Sequence, residues 1–317
     1  MAGHKAVSLT GLAKAAATAL ALLSVATLFA ELHRYLELFS HFRLQYFVSS
    51  LLLLLVFAVL RHRNFSLLLL SLALLNAWFV LPWYVGDDRA VVVAGSASMK
   101  ILQANVFRGN KETTALLAQI AAEKPDIVIL QEMTPPWLKA MQSLSAEFPY
   151  SIAEAQDGAF GIGLFSRLPL EDARIVHAPP VDLPEIRVTV VLGEQRINLL
   201  SAHLMPPIGR ASIEARNVQL AALGKDLGAA ARPTVLIGDL NISMWASTFR
   251  AFEEKSGLRN GRKGFGIVPT FPVFLPIAGI PIDHCLVSEG IEVLEFRRGA
   301  RTGSDHWPII VTLALTD

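Results

Sequence analysis

The sequence has 317 residues, longer than most single domains, and its charges almost cancel, with 28 Lys and Arg against 27 Asp and Glu. A net charge near zero excludes binding of nucleic acid through overall positive charge, and the single cysteine excludes an internal disulfide. Most of the apolar residues precede Val85, so we expect two regions of different character.

Three apolar stretches fill the first region, over residues 12–30, 46–60 and 65–85. A helix needs roughly 20 mostly apolar residues to span a bilayer, and the first and third stretches reach that length while the second is shorter. Burial inside a soluble helical bundle is less favoured, because the stretches have almost no polar face. We therefore predict an N-terminal membrane region, residues 1–86, with about three transmembrane helices.

The first stretch has a second interpretation as a secretory signal, because Lys5 precedes an apolar core. Its length and the poor cleavage site near Ser24 and Ala26 favour an uncleaved anchor. Basic residues in short loops mark the cytoplasmic side, and Arg61 and Arg63 fill the turn between the second and third stretches. We expect an integral protein of a bacterial-type inner or plasma membrane, with its C-terminal region on the extracytoplasmic side.

A predicted linker, residues 87–98, leads into a second region, residues 99–317, whose size suits a single large domain. Helices are predicted after Asn110, from about Pro135 and over residues 211–227. The predicted strands cover residues 100–107, 127–130, 161–165, 187–191, 197–201, 234–237, 283–287 and 309–315. This mixed order, with mostly antiparallel connections, predicts an α+β fold in which helices flank a two-layer β-sandwich.

Polar side chains follow the apolar strands at several points. Asp239 and Asn241 are two apart and face the same side of an extended chain, although an Asx turn fits this spacing equally well. Glu132 offers the carboxylate oxygen that Mg²⁺ takes as a ligand, although a single Glu there is more often an exposed strand end. His306 can exchange protons near neutral pH. Polar groups at successive strand ends can converge on one cleft, which predicts a functional site.

Six short motifs occur in a fixed order: Gln103-Ala104-Asn105, Gln131-Glu132, Ser201-Ala202-His203-Leu204, Gly238-Asp239-Leu240-Asn241, Ile282-Asp283-His284 and Gly303-Ser304-Asp305-His306-Trp307-Pro308. This order resembles the endonuclease/exonuclease/phosphatase superfamily, which includes deoxyribonuclease I, abasic-site endonucleases, inositol polyphosphate 5-phosphatases and neutral sphingomyelinases. The resemblance covers about residues 99–315. It implies a deoxyribonuclease I-like four-layer α/β/β/α sandwich and divalent-metal-dependent hydrolysis of phosphodiesters, with Mg²⁺ as the metal and Mn²⁺ as an alternative.

The resemblance also implies a role for each matching residue. Glu132 would bind the metal, with Asn105 and Asp305 nearby. Asp239 and Asn241 would orient the attacking water and hold the phosphate. His306 would act as general acid or base, or as a phosphate contact, and Asp283 would orient it.

Contacts to the substrate are implied for a further set: Asn105, His203, Asn241, Arg167 and Arg216. His203 would contact a phosphate oxygen; abasic-site enzymes carry a tyrosine at that position, so DNA repair is less favoured. For the two arginines a structural ion pair is at least as good an interpretation.

The resemblance leaves the substrate open. Nucleic acid requires a basic groove, which Arg259, Arg262 and Lys263 would supply, although a solvated turn is an equally good interpretation of these three residues. Three more arginines, Arg297, Arg298 and Arg301, precede the last motif. A phospholipid or its headgroup is the alternative, because the apolar segment 271–277 could enter a bilayer interface, although a buried loop core is the commoner explanation. An inert membrane adaptor is the third interpretation, and the complete set of polar residues argues against it. We predict no protein partner.

Overall fold

The computed structural model describes residues 8–86, 96–231 and 233–316, so most of the predicted linker, residues 87–98, lies outside the described residues. Its N-terminal part is helical. The helices are α1 (Leu9–Ala26), α2 (Arg34–Ser40), α3 (Arg43–Val59) and α4 (Arg63–Val80), with 3₁₀ turns at Thr27–Leu32 and Leu81–Tyr84.

Two helical stretches in the described residues are long and apolar enough to cross a membrane, Leu9–Leu32 and Arg63–Tyr84. Helices α2 and α3 are bent by 59° and form a third candidate only if they are counted together. The predicted number of three is therefore reached only if the bent pair is one span.

Two six-stranded sheets form the rest of the described chain. The first has the order β11-β12-β1-β2-β4-β3 and the second β5-β6-β7-β8-β10-β9. The strands are β1 (Ser98–Asn105), β2 (Ile127–Gln131), β3 (Tyr150–Glu154), β4 (Ile162–Ser166), β5 (Leu170–Ala178), β6 (Leu183–Leu192), β7 (Gln195–His203), β8 (Thr234–Asp239), β9 (Arg259–Asn260), β10 (Asp283–Val287), β11 (Ile291–Arg298) and β12 (Ile309–Leu315).

Four helices cover the outer faces of these sheets: α5 (Thr114–Glu123), α6 (Pro135–Gln142), α7 (Arg210–Gly228) and α8 (Ser247–Ser256). Helices α5 and α6 pack on the first sheet, and α7 and α8 pack on the second. A third apolar cluster fills the space between the sheets. The predicted four-layer α/β/β/α sandwich is confirmed.

The apolar runs of the strands follow from this layering. In β1, Ile101 points into the core between the sheets, and Leu102 points outwards under α5 and α6. In β8, Val235 and Ile237 face the inner core while Leu236 faces α7 and α8. Successive side chains of a strand point to opposite faces, so a strand that is covered on both faces needs apolar residues at nearly every position.

Strand direction brings the polar residues to one edge of the sandwich. Strands β1 and β2 are parallel, with Asn105 opposite Gln131, and β7 and β8 are parallel, with His203 opposite Asp239. Strand β10 runs antiparallel to β8 and begins at that edge, with Asp283 opposite Asp239.

The N-terminal helices pack against the outer layer formed by α7 and α8. Val80 is buried in the same apolar cluster as Leu220 and Phe249. The side chains of Leu44, Phe47, Phe79 and Trp83 pack against this cluster as well. The backbone carbonyl of Trp83 accepts hydrogen bonds from the amides of Gly264 and Gly266, at 3.0 and 2.9 Å. The two parts of the chain therefore share an apolar interface.

Candidate active site

A buried acid–imidazole pair stands at the centre of this edge. The Nδ1 of His306 lies 2.9 Å from the Oδ2 of Asp283, and the ring of Phe271 packs against the imidazole with centroids 4.8 Å apart. Burial lowers the pKa of His306, but the charges of Asp283 and Asp239 outweigh it and raise that pKa to about 10. The imidazole is therefore held in its charged form at neutral pH.

Asp283 itself is fixed from several sides. Burial raises its pKa, but the charge and hydrogen bond of His306, with bonds from Thr270 and Gln103, hold the pKa below its usual value. The Gln103 amide donates to the Asp283 Oδ1 at 2.9 Å. Thr270 and Gln103 were not predicted as site residues, although Gln103 begins the motif that ends at Asn105.

Asp239 lies between two imidazoles. Its Oδ2 is 3.6 Å from the Nε2 of His203 and 3.7 Å from the Nε2 of His306. Burial raises the pKa of Asp239, and neighbouring Asp283 adds to the rise, while His306 and His203 offset part of it. A carboxylate with a raised pKa is a suitable acceptor for a proton near neutral pH.

Glu132 and Asn105 form a second polar group beside this one. Glu132 has a left-handed φ of 57° at the end of β2, and its carboxylate accepts hydrogen bonds from the Asn105 Nδ2 at 3.1 Å and the Arg108 amide at 2.9 Å. The same Nδ2 also donates to the Asp239 Oδ2 at 3.1 Å. Such a backbone outlier is commonly found at functional sites.

Asn105 is oriented as a hydrogen-bond donor between the two carboxylates of Glu132 and Asp239. Its amide nitrogen lies between two carboxylates, and its oxygen accepts a hydrogen bond from the Phe107 amide at 3.0 Å. Reversing the amide would place an oxygen against both carboxylates. Asn105 therefore supports Glu132 and Asp239 as a donor.

The turn before His306 carries Asp305 and is tied to the strand that ends at Asn105. Ser304 Oγ donates to the Asn105 carbonyl at 2.7 Å and accepts from the His306 amide at 3.0 Å, which ties the turn to the end of β1. Burial raises the pKa of Asp305, His306 lowers it, and the nearby charge of Glu132 adds to the rise. The negative charge of Glu132 therefore acts on the Asp305 carboxyl.

Asn241 is held by three hydrogen bonds. Its amide nitrogen donates to the Asp239 Oδ1 at 2.9 Å, its Nδ2 donates to the Leu204 carbonyl at 2.8 Å, and its own carbonyl accepts from the Arg216 Nη1 at 3.2 Å. Its φ is 52°, a left-handed conformation that Asn tolerates better than most residues. The Asx turn therefore occurs here, and the chain is no longer extended at Asn241, so the predicted same-face arrangement does not apply to it.

Arg167 does not reach this edge. Ser166 pairs with Ile127, at the opposite end of β2 from Glu132, and Arg167 binds Glu147 at 2.7 Å while its guanidinium lies over the Phe148 ring. The structure does not bring Arg167 together with the other predicted substrate-binding residues, because the strand carries it to the far end of the sheet.

Arg216 is also not a substrate contact, because its side chain is completely buried. It binds the carboxylate of Glu37 and the carbonyl of Asn241. The structural ion pair is therefore the correct interpretation.

Two sets of groups are suited to a cation. The ligand atoms of Asp239, Asp283 and His306 lie within 4.8 Å of one another, but the last two are already bonded together. The charge of Glu132 contributes to the raised pKa of Asp305, and carboxylate oxygens are the ligands that Mg²⁺ prefers. The chemistry of this second pair therefore also suits such an ion.

Solved structures share this fold. One is D. rerio TDP2 complexed with single strand DNA product, which aligns over 68% of the present chain and 98% of its own (TM-score 0.60, 17% identity). A second is an endonuclease/exonuclease/phosphatase family protein from Bacteroides thetaiotaomicron, over 70% of the present chain and 99% of its own (TM-score 0.58, 19% identity). A third is the human Nocturnin catalytic domain with bound sulfate anion, over 74% of the present chain and 99% of its own (TM-score 0.57, 18% identity). No curated protein matches the sequence. The sequence model of the Endonuclease/Exonuclease/phosphatase family matches residues 102–306. This match covers well over half of the chain, and the chain therefore belongs to the endonuclease/exonuclease/phosphatase family of phosphoric ester hydrolases.

Proposed function

We propose that this protein is a membrane-anchored, divalent-metal-dependent phosphodiesterase that cleaves nucleic acid. The observation that carries the proposal is the meeting of the charged His306–Asp283 pair, the buried Asp239 and the Glu132–Asp305 carboxylates at one edge of the sandwich. A phosphodiester anion repels an anionic nucleophile, so its hydrolysis needs both positive charge and a base at one place.

Glu132 and Asp305 would hold Mg²⁺, or Mn²⁺, with Asn105 fixing the Glu132 carboxylate. When bound, the metal neutralises charge that develops on the phosphoryl oxygens. The Arg108 amide and the Asn105 Nδ2 keep the Glu132 carboxylate in one orientation, at 2.9 and 3.1 Å. Such fixed ligand geometry suits an ion that demands regular coordination.

The remaining residues would move protons and hold the phosphate. Asp239 accepts a proton from the attacking water as the new bond to phosphorus forms and the bond to the leaving oxygen breaks. The charged imidazole of His306 donates a hydrogen bond to a phosphoryl oxygen, and Asp283 keeps that imidazole charged and oriented. His203, whose ring packs against Phe160 at 5.4 Å, and Asn241 contact the phosphate from the other side.

Basic and aromatic side chains beside His306 favour nucleic acid. The guanidinium groups of Arg298 and Arg301 lie 5.0 and 5.9 Å from the centroid of the Trp307 ring. Positive charge with an aromatic platform suits a strand of nucleic acid. Arg259 binds Glu292 at 2.9 Å and Arg262 is fully buried, so those two predicted groove residues are used for structure. The TDP2 neighbour was solved with a single-stranded DNA product, which also supports this substrate.

A lipid or headgroup phosphoester is the second candidate, because the loop beside His306 is apolar and exposed. Phe274 and Ile277 are 73% and 81% exposed. The loop contacts the site through the Val273 amide, which donates to the Asp305 carbonyl at 2.8 Å, and contacts α3 through the Gln45 amide, which donates to the Gly279 carbonyl at 2.7 Å. An exposed apolar loop joined to a candidate membrane helix suits a lipid surface.

The full chain, purified in detergent, should be assayed with Mg²⁺ or Mn²⁺ on plasmid DNA, RNA and sphingomyelin-type lipid. Cleavage of nucleic acid without lipid turnover supports the first candidate, and the reverse result supports the second. No hydrolysis of any phosphoester would reject both and favour the inert adaptor.

Membrane anchoring is the third part of the proposal. Residues 1–86 would form the membrane region and residues 99–317 the catalytic domain, as the two apolar helical stretches support. Helix α4 ends, and α3 begins, beside the catalytic layers, so Arg61 and Arg63 lie at the far end of these two helices. A reporter that is active only in the cytoplasm, fused after Asp317, should be inactive; an active fusion contradicts the extracytoplasmic placement.

A further inference from the structure

A buried ion pair joins the N-terminal helices to the catalytic layers. The Nη2 of Arg216 on α7 donates to the Oε1 of Glu37 on α2 at 2.6 Å. The side chains are 0% and 3% exposed. The other carboxylate oxygen of Glu37 accepts hydrogen bonds from the Thr248 hydroxyl at 2.7 Å and the Thr248 amide at 3.2 Å. The pair is therefore withdrawn from water and closely bonded.

The same arginine reaches the candidate active site. Its Nη1 donates to the Asn241 carbonyl at 3.2 Å, while Asn217 holds its Nε and Nη2 at 3.1 and 2.7 Å. One guanidinium thus contacts a residue of the N-terminal helices and a residue beside Asp239. A planar fork of donors holds two acceptors in a fixed relation, which a single ammonium group does not do.

The loop that carries Asn241, residues 240–246, has two more contacts with the N-terminal helices. The Nδ1 of His41 lies 2.8 Å from the Ser243 hydroxyl. The Trp245 indole donates to the Phe79 carbonyl at 2.9 Å. This Asn241 loop is therefore bonded to α2, to the residue that follows α2 and to α4, directly or through Arg216.

The chemistry of the Arg216–Glu37 pair indicates a role in positioning Asn241 more than a role in stabilising the fold. Removing two charges from water is costly, and well-packed apolar residues of similar volume often give equal or greater stability. Apolar residues would not supply a donor for the Asn241 carbonyl, whose residue has a left-handed backbone. The position of the Asn241 backbone matters for the site because its backbone amide donates to the Asp239 Oδ1 at 2.9 Å.

We propose that Glu37 is a positioning residue of the active site, acting through Arg216 on the Asn241 backbone. The N-terminal helices are then part of the catalytic scaffold as well as an anchor. The effect on turnover rests on the proposed function, in which Asn241 contacts the phosphate.

The test compares Glu37→Gln with Glu214→Gln in the full chain in detergent. Glu214 binds Arg34 at 2.9 Å, so it also joins the N-terminal helices to α7, but this pair is partly exposed and does not contact Asn241. With bis(p-nitrophenyl) phosphate and Mg²⁺, Glu37→Gln should lower kcat by about 10- to 100-fold, the usual cost of a slightly misplaced group. Glu214→Gln should retain the kcat of the unaltered chain. Equal kcat values for all three proteins would overturn the inference.

Two further measurements keep the inference separate from folding and from the proposed function. If Glu37→Gln does not fold, Arg216→Lys replaces it, because Lys keeps a cation for Glu37 but loses the fork that reaches Asn241; an unchanged kcat contradicts the positioning role. Amide hydrogen exchange over residues 240–246 needs no activity and should be faster in Glu37→Gln than in Glu214→Gln. Unaltered chain that hydrolyses no phosphodiester rejects the proposed function, whereas equal exchange rates in the two variants reject the positioning role.

Discussion

Replacing Asp283 by Asn removes the charge that holds His306 as an imidazolium. The substitution keeps the size of the side chain and leaves an oxygen for the hydrogen bond that now spans 2.9 Å. It removes the largest of the charges that raise the His306 pKa. The His306 side chain is almost fully buried, so water screens this interaction little.

The size of the effect follows from the pKa. A rise from 6.5 to about 10 corresponds to about 5 kcal/mol of preference for the charged imidazole. Because the folded-state pKa lies above the unfolded value, this stabilisation is complete below pH 6.5 and is lost as pH rises through 10. In Asp283→Asn the largest raising charge is lost while burial still lowers the His306 pKa, so the charged imidazole and its hydrogen bond to the phosphate are weakened near pH 7.

Two assays check this prediction. Hydrolysis of bis(p-nitrophenyl) phosphate at pH 7 should fall by about 10²- to 10³-fold, the typical cost of losing one preorganised donor to the developing charge. In excess chelator, the free energy of unfolding of the unaltered chain should decrease between pH 7 and pH 10, and the variant should show a much smaller decrease. Glu292→Gln is the control, since Glu292 is a buried carboxylate paired with Arg259 at 2.9 Å. Near-normal turnover by Asp283→Asn would refute the reasoning.

Three other substitutions test the metal ligand Glu132, the position of Arg167 and the contribution of buried His284 to stability. Glu132→Gln should raise the Mg²⁺ concentration needed for half-maximal activity at least tenfold, because one of two anionic ligands is lost; activity that survives unchanged in excess chelator contradicts the metal assignment. Arg167→Gln should leave kcat/KM unchanged, because Arg167 lies at the far end of the sheet; a large loss would return it to the site. Burial and the charge of Arg262 lower the pKa of His284 to about 3, so its neutral form stabilises the fold above pH 6.5 and that stability falls by up to about 1.4 kcal/mol per pH unit as the pH drops towards 3. His284→Gln should weaken this acid dependence in urea unfolding, and an identical pH profile would contradict it.

The strand-end residues were predictable because strands impose a simple local rule. Asn105, His203 and Asp239 each end a strand that is rich in apolar residues, and a strand covered on both faces ends where the sheet meets solvent. Parallel neighbours then bring such ends to the same edge. The fold class and the grouping of these residues therefore follow from the sequence.

Other features depend on contacts that no local pattern encodes. Glu37 and Arg216 are separated by 179 positions, and each alone is an ordinary charged residue on a helix. Strand β11 was not predicted, because a register shift between Val293 and Glu295 interrupts its alternation. Arg167 matched a motif position, but the pairing of β4 with β2 decided which end of the sheet it occupies.

The shared apolar interface limits how this protein can be shortened. Phe79, Val80 and Trp83 cover part of the layer formed by α7 and α8. A truncated version beginning at residue 99 would uncover that layer, and a large bare apolar patch promotes aggregation. Producing a soluble fragment would therefore require polar substitutions on the uncovered side of α7 and α8, because removal of the N-terminal helices alone exposes an apolar surface.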